Sequence, residues 1–335
     1  MGEIRDKIAG ALYGMALGDA MGMPAELWSR EKARKFFGKK IDSFIDGPKE
    51  NEVAANYRYG QFTDDTSQAL VVLDSLHATN YLPDSRDIAL RMIKWAEKVN
   101  AWENNILGPT SKVALAAIKD GCPNTNVTDK ALSNGSAMRI PPIGCLFKPD
   151  KRQEIVDYVY EVTKATHTSN VTIAGASMIA MGVSSAIVNS DFEKVIDDVL
   201  GIEEVGYRKG FDYFTPRLKE RTKLAIDIAK EYESDEDAFS QKIYDVVGTG
   251  VGIIESVPAA IAIAYFTRDP NKACLLCANI GGDTDTIGAM ATAISGAFCG
   301  ASAIKPEYIA TLKRQNGVDF ESYVDILLEG RKKLA

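Results

Sequence analysis

Apolar residues recur at helical spacing along most of the chain, whereas the alternating pattern of β-strands is scarce. In the first such stretch, Ile8, Leu12, Met15 and Ala16 share one face of a helix predicted over residues 4–20. The same spacing predicts further helices over residues 67–79, 86–99, 112–119, 154–165, 172–187, 273–280 and 287–298, and from residue 320 onward. We therefore predict an all-α fold, a compact multi-helix bundle formed as a single domain by residues 1–335.

Polar or glycine-containing segments interrupt this helical pattern. Residues 29–60 are predicted as a long loop with short structured pieces, residues 120–129 as a polar loop, and residues 104–111 as a turn. Residues 133–139 form a glycine-centred loop before a short helix that starts with two prolines. Residues 191–245 carry more charge and thinner apolar spacing. We interpret this last segment as surface helices or a family-variable insertion, not as a separate domain.

Two glycine patterns have structural explanations. Gly10, Gly14 and Gly18 lie four residues apart in the first predicted helix, where each costs up to about 1 kcal/mol relative to alanine. Such glycines are tolerated where another helix or a ligand must approach closely. The second pattern, at residues 248–252, fails the dinucleotide-binding spacing at Ile253. We interpret it as a site of close helix packing.

The composition is that of an ordinary globular protein. Of the 335 residues, 46% are hydrophobic and 25% charged, and the net charge is −7. This acidity argues against a surface for nucleic acid or for an anionic membrane. We expect that no apolar run reaches the ~18 residues of a transmembrane helix, and the first residues lack a signal-peptide pattern. We therefore expect a cytoplasmic protein that binds neither nucleic acid nor membrane.

The most informative feature is a pair of similar acidic clusters. The segment from Gly281 to Thr286 places Asp283 and Asp285 between hydroxyl residues, directly before an apolar helix. More than two hundred residues earlier, the segment 63–66 reads Thr-Asp-Asp-Thr and also leads into an apolar helix. Carboxylates are rarely buried unless they are paired or bind a metal. The repeated pattern therefore predicts one metal site assembled from both clusters.

The side chains in the clusters favour a hard cation. Carboxylate, hydroxyl and water oxygens suit Mg²⁺, Mn²⁺ or Ca²⁺, whereas zinc prefers histidine and cysteine. The two histidines, His77 and His167, lie outside both clusters. Four aspartates match a two-metal centre with ions roughly 3.5–4 Å apart. The alternative is that an aspartate such as Asp64 or Asp283 only caps a helix.

Four motifs occur in a specific order along the chain. Two are the acidic clusters, and the others are the glycine pattern from Gly10 to Glu26 and the loop 133–139 with Thr166 and His167. Together they resemble the ADP-ribosylglycohydrolase family over residues 4–300. The resemblance implies an all-α fold with a dinuclear Mg²⁺ or Mn²⁺ centre. It also implies cleavage of the N- or O-glycosidic bond that joins ADP-ribose to a protein side chain.

The resemblance also assigns roles to individual residues. It implies the metal ligands Thr63, Asp64, Asp65, Asp283, Asp285 and Thr286. The catalytic residues that it implies are Asp64, Asp285, a mobile glutamate at Glu26 and an aspartate near the ribose at Asp19. The diphosphate and the distal ribose are assigned to Gly108, Thr110, Ser111, Ser133, Asn134, Gly135, Ser136 and His167.

These motifs do not identify the leaving group, so several functions stay open. The substrate is either an ADP-ribosylated protein or a small ribosylated metabolite or nucleoside. A third alternative is a non-catalytic protein that binds ADP-ribose, against which the four intact aspartates argue. For Glu26, the alternative to a mobile gate at a Gly22 hinge is a fixed ion pair with Arg30.

Overall fold

The computed structural model describes residues 2–104, 106–122 and 125–334. Helices make up 69% of the structure, and the described ranges contain isolated β-bridges but no strand, which confirms the all-α prediction. The α-helices are α1 Gly2–Gly22, α2 Arg30–Phe37, α3 Asp64–Ala78, α4 Ser85–Lys98, α5 Pro109–Lys119, α6 Thr125–Asp129, α7 Gly135–Met138, α8 Pro141–Gly144, α9 Arg152–Thr163, α10 Asn170–Val188, α11 Phe192–Lys209, α12 Leu218–Glu231, α13 Glu236–Lys242, α14 Ile253–Thr267, α15 Pro270–Ala278, α16 Thr284–Cys299, α17 Pro306–Asn316 and α18 Phe320–Leu334.

Helices α1 and α16 cross the centre of the protein as an antiparallel pair. A Cβ atom added at Gly10, Gly14 or Gly18 would lie 2.1, 2.3 or 2.0 Å from a backbone oxygen of α16. Any larger residue would therefore push the two helices apart. The predicted close approach of another helix is confirmed, and it brings the end of α1 beside the start of α16.

Helix α10 is a long, apolar helix of the core. Among the described residues it is the one helix long and apolar enough to cross a membrane by length and composition. Inside this protein, 94% of that apolar window is buried, and α11 and α16 pack against the helix. The expectation that no apolar run reaches this length was wrong, because buried Ser, Thr and Gly residues extend the run at modest cost in hydropathy.

Several predicted loops contain helical turns. Helix α2 is one of the short structured pieces expected within residues 29–60, whereas α6 occupies the end of the loop predicted over residues 120–129, where no helix was expected. Residues 123 and 124, and residue 105 of the predicted turn, lie outside the described residues. The loop 133–139 includes the short helix α7. Helices α6 and α7 were not predicted, because they are short and a helical pattern of apolar residues can be recognised only over more than one turn.

Two later segments complete the fold around the site. Residues 191–245 form α11, α12 and α13, and α11 buries Phe192, Val195 and Val199 against α10. Residues 248–252 lie between helices and do not pack as a helix, so the interpretation of close helix packing there was wrong. They form a loop instead, whose backbone bonds to Asn134 and Asp283.

Candidate active site

The two acidic clusters meet in one cleft of about 150 Å³. The first turn of α3 supplies Asp64 and Asp65, and the start of α16 supplies Asp283 and Asp285. The hydroxyl of Thr63 donates to Asp285 Oδ2 at 3.3 Å, although the two residues lie 222 positions apart. The structure thus brings together the four aspartates that sequence motifs had grouped.

Helix starts make this concentration of negative charge tolerable. Thr63 is the N-cap of α3 and Asp283 the N-cap of α16. The first N–H groups of a helix have no partner within it, and the helix dipole places partial positive charge there. The partial positive charge at two helix starts that face one cleft therefore offsets part of the repulsion between the carboxylates.

A glycine pair brings a fifth carboxylate to the cluster. Gly281 and Gly282 both have φ of +84°, and a Cβ at Gly282 would lie 2.2 Å from the Thr249 oxygen. Because the two glycines have no side chains, other backbone can approach this turn closely. Leu27 N donates to the Gly282 oxygen and Gly282 N donates to the Trp28 oxygen, both at 2.8 Å. Carboxylate oxygens of Glu26, Asp283 and Asp285 consequently lie within 4.8 Å of one another.

The surroundings of Glu26 differ from both sequence hypotheses. The Arg30 guanidinium donates to the oxygens of Asn279 and Ile280 and to Ser240, so it is engaged away from the cluster. Gly22 is also not a hinge, since it ends α1 with its Cα packed against the Thr284 backbone. The side chain of Glu26 is half-buried at the edge of the cleft.

Asp19 lies beneath the cleft and does not line it. Its carboxylate is fully buried and accepts hydrogen bonds from Thr63 N at 2.8 Å, Thr66 N at 3.0 Å and the Thr66 hydroxyl at 2.6 Å. The assignment of Asp19 as a catalytic residue near the ribose was therefore wrong. It is a positioning residue that holds the first turn of α3 and, with it, the Asp64–Asp65 pair.

Burial raises the pKa of every carboxyl in this cluster. It brings the pKa of Asp64 to about 8 and, with the neighbouring charges, holds those of Glu26, Asp65 and Asp285 well above their usual range. In the part of the chain described, Asp65 Oδ2 and Asp285 Oδ1 are buried without a hydrogen-bond partner. Buried carboxylate oxygens without a partner are costly, so the cleft is suited to bind cations.

Both predicted substrate loops reach the cleft. Its lining includes Gly108 and Ser111 at the start of α5 and Ser133, Asn134 and Gly135 at the start of α7. The Asn134 amide donates to Asp283 Oδ2 at 2.5 Å, which ties one loop directly to the acidic cluster.

The loop 248–252, which the sequence analysis did not assign to the site, accepts backbone hydrogen bonds from both the substrate loop at Asn134 and the acidic cluster at Asp283. Asn134 N donates to the Val251 oxygen at 3.0 Å, and Asp283 N donates to the Thr249 oxygen at 2.7 Å. The glycines at the alternate positions 248, 250 and 252 were the available signal.

Two of the predicted substrate-binding residues lie behind the loops. Ser136 is buried and donates to the Thr172 oxygen at 3.1 Å. His167 is fully buried behind Gly135, where an added Cβ would lie 2.9 Å from the imidazole Cε1. The assignment of Ser136 and His167 as substrate contacts was wrong, because these side chains support the loops from within the core. Thr110 is half-buried and its hydroxyl accepts from Ser133, so its contact with substrate stays a prediction.

A buried network connects the loops to the cluster. Arg139, 1% exposed, donates to Gln68 Oε1 at 3.0 Å and to the Thr166 hydroxyl, while Gln68 donates to Asp64 Oδ2 at 2.7 Å. The imidazole of His167 contacts the Thr166 hydroxyl at 2.8 Å and the Ser133 hydroxyl at 3.0 Å.

Burial lowers the pKa of Arg139 to about 10 and that of His167 well below its usual range. The imidazole is therefore neutral beside a charged guanidinium. Sequence analysis missed Arg139 and Gln68 as members of the site. The available signals were the arginine that ends the loop motif and the glutamine one turn after Asp64.

The fold and the acidic cleft together define a class of enzyme. The chain belongs to the ADP-ribosylglycohydrolase family, whose model matches residues 1–334, and members of this family are hydrolases. An uncharacterized protein, YegU, from Escherichia coli K12 is 43% identical over 98% of each chain. The ADP-ribosylarginine hydrolase Tri1 of Pseudomonas putida is 23% identical over 91% of this chain and 73% of its own. The fold is also that of a solved ADP-ribosylglycohydrolase-related protein complex, with a TM-score of 0.70, full coverage of both chains and 20% identity.

Proposed function

We propose that this protein hydrolyses the N- or O-glycosidic bond joining ADP-ribose to a protein side chain, with two divalent cations, Mg²⁺ or Mn²⁺, in the acidic cleft. The observation that carries the proposal is the convergence of four carboxylates from two helix starts with that of Glu26; two of their buried oxygens have no partner among the described residues. Buried carboxylate oxygens without a partner are costly, which supports a cation as their ligand.

The side chains present fit such cations. Asp64, Asp65 and Thr63 would hold one side of the pair, and Asp283, Asp285 and Thr286 the other. All six offer only oxygen atoms, which suit hard divalent cations and not zinc. When bound, such a pair would polarise a water and orient the ribose hydroxyls.

The protein itself would stabilise the charge of the transition state and bind the diphosphate. Cleavage of a ribosyl bond passes through an oxocarbenium-like state, which the carboxylates of the cleft would stabilise. The loops at residues 108–111 and 133–135 would bind the diphosphate through backbone N–H groups. Among the described residues, the lining of the cleft includes no lysine or arginine, so binding by backbone amides would explain how an acidic protein holds an anion.

A second candidate is hydrolysis of a small ribosylated metabolite or nucleoside. The observation in its favour is a cavity of about 630 Å³ beside the cleft, whose walls include several aromatic rings. Cavities of this size and lining are typical of small-molecule sites.

The test is a titration of the metal-free enzyme with Mg²⁺ and Mn²⁺ against ADP-ribosylarginine, ADP-ribosylserine and free nucleosides, with released product measured by chromatography. We expect hydrolysis to depend on the cation and to require the ADP-ribosyl group. Full activity in the presence of a strong chelator would overturn the metal centre. Hydrolysis of nucleosides alone would leave only the second candidate.

A further inference from the structure

A second cavity adjoins the acidic cleft and is much larger. Its volume is about 630 Å³, against about 150 Å³ for the cleft, and Val53 and Ile106 line both. Ligand sites usually enclose roughly 300–1,000 Å³. The cleft alone is therefore too small for a whole substrate, and the neighbouring cavity shares part of its wall.

Helix α3 runs from the cleft along the wall of this cavity. Asp64 lies in the cleft, and Ser67, Val71 and Asp74 follow at helical spacing on the cavity side. At about 1.5 Å per residue, Asp74 lies ~15 Å along the helix axis from Asp64. Tyr57 marks the junction, because it lines the cavity and yet burial and the charges of Asp64 and Glu26 raise its pKa.

The walls carry no excess positive charge for the anionic half of the substrate. One wall is the last turn of α4, with Trp95 and Lys98, and the end of a helix carries partial negative charge. Asp74 adds a carboxylate to the lining, which offsets the charge of Lys98. A diphosphate is better accommodated by the loops at residues 108–111 and 133–135. The cavity is therefore left for the part of the substrate beyond the scissile bond.

The lining indicates the chemistry of that part. The rings of Tyr57, Phe62, Trp95 and Tyr323 supply aromatic surface, and the Tyr323 hydroxyl donates to Asp74 at 3.0 Å. Asp74 and Lys98 are the charged residues of the lining, so it carries no net charge. Rings pack well on other rings, and side-chain amides in the lining can bond to ring heteroatoms.

We propose that this cavity is the leaving-group site of the enzyme and that it takes an aromatic or heteroaromatic ring. The inference rests on the proposed hydrolysis of a ribosyl bond and specifies the group that is released.

The test compares substrates that share ADP-ribose and differ in the leaving group. In Trp95→Ala we expect KM for the 4-nitrophenyl conjugate of ADP-ribose to rise about fivefold or more, since a stacked ring is lost. The Kd for free ADP-ribose, measured by calorimetry, should change less than twofold because this product has no leaving group. Trp102→Ala is the matched control, as Trp102 is also half-buried but lies outside both linings.

A second variant covers the case in which Trp95→Ala fails to fold. Val71→Phe fills the cavity from the middle of α3 and should also raise KM for the nitrophenyl conjugate alone. An equal loss of affinity for free ADP-ribose, or an equal effect in Trp102→Ala, would overturn the leaving-group assignment. An increase in KM confined to ADP-ribosylarginine would overturn the aromatic class. If the wild-type enzyme neither binds ADP-ribose nor cleaves any conjugate, the proposed function has failed instead.

Discussion

Two buried polar regions lie side by side in this protein and differ in how well they are satisfied. In the Arg139–His167 network, both terminal nitrogens of Arg139 donate and both ring nitrogens of His167 have partners, while Arg139 Nε has none among the described residues. In the acidic cluster, Asp65 Oδ2 and Asp285 Oδ1 have none among the described residues. A satisfied network fixes a structure, whereas an unsatisfied one of like charges indicates where a ligand binds.

This difference predicts opposite responses to mutation. Removing a member of the network should destabilise the fold, because it leaves buried partners unpaired. Removing a carboxylate from the cluster should relieve repulsion in the metal-free protein while it abolishes function. The predictions below test this contrast from the largest expected effect to the smallest.

The largest effect is expected from Asp285→Ala. Cation binding should be lost and hydrolysis should fall about 1,000-fold, the upper range for one electrostatic group. The thermal unfolding midpoint of the metal-free protein should stay the same or rise, since one of several repelling charges is gone. The measurements are calorimetric titration with Mn²⁺, steady-state rates and thermal unfolding.

The matched control for that variant is Asp150→Ala, which removes an exposed carboxylate. It should change neither cation binding nor rate. A metal-free Asp285→Ala protein that no longer folds would show that the cluster is structural, and the contrast between the two regions would disappear.

Glu26→Ala tests the fifth carboxylate. The backbone around it is held by Glu26 N on the Met23 oxygen, Leu27 N on the Gly282 oxygen and the Asn51 amide on the Glu26 oxygen. Movement on substrate binding is therefore expected of the side chain alone. We expect kcat to fall about 100-fold with unchanged thermal stability. Crystals with and without ADP-ribose should show two Glu26 rotamers; identical rotamers together with near-normal turnover would remove Glu26 from the mechanism.

Arg139→Lys tests the satisfied region. A lysine presents one nitrogen and cannot replace a planar guanidinium that bonds to Gln68 and Thr166 at once. We expect the free energy of unfolding to fall by roughly 2–4 kcal/mol, as buried partners lose their donors. Urea unfolding measures this loss. Arg152→Lys, a change at a half-exposed arginine on α9, is the control and should be nearly neutral.

A stable Arg139→Lys protein with weak cation binding would contradict the contrast. Such a result would mean that Arg139 acts on cation binding, through Gln68 and Asp64, and does not mainly stabilise the fold. The two readouts therefore separate the regions even though hydrogen bonds connect them.

The sequence predicted what depends on local pattern. Apolar spacing reveals α1, α3 and α16, and the repeated Thr–Asp clusters at the starts of α3 and α16 reveal the four aspartates. Helix starts bear capping and acidic residues for reasons that act within one turn. The acidic half of the site was therefore predictable almost residue by residue.

The satisfied network was not predictable, because its bonds join distant positions. Arg139 reaches Gln68 over 71 positions, and Asp19 accepts from Thr63 over 44. No local pattern distinguishes a buried histidine such as His167 from one that touches substrate. The fold alone decides which polar residue of a motif faces the cleft and which supports it from behind.

Gly135→Val tests the boundary between the two regions. An added side chain would collide with the His167 ring, since even a Cβ would lie 2.9 Å from Cε1 and 3.2 Å from Nε2. The loop should move away from the diphosphate, so KM for ADP-ribose conjugates should rise about tenfold and more than kcat falls. Gly108→Ala in the other loop has open space around its Cβ and should have less effect. An unchanged KM in Gly135→Val would show that the loop does not contact the ligand.

The smallest expected effect concerns pH. Burial raises the pKa of Asp64 to about 8 in the folded, metal-free protein, whereas an unfolded aspartate titrates near ~4. The folded state thus binds more protons, and this group's contribution to stability is present at low pH and is lost as pH rises toward 8. Cations bind the deprotonated carboxylates, so protons compete with them. The increase in unfolding midpoint caused by Mn²⁺ should therefore grow from pH 6 to pH 8.

Thermal unfolding at pH 6, 7 and 8, with Mn²⁺ and with a chelator, measures this increment. Asp285→Ala serves as the internal control, because it should show little increment at any pH. Surface carboxyls and histidines shift both curves together and cancel in the difference between them. An increment that is equal at the three pH values would mean that the acidic cluster is already deprotonated at pH 6. The cluster would then resemble the satisfied network beside it, with its charges compensated by the protein alone.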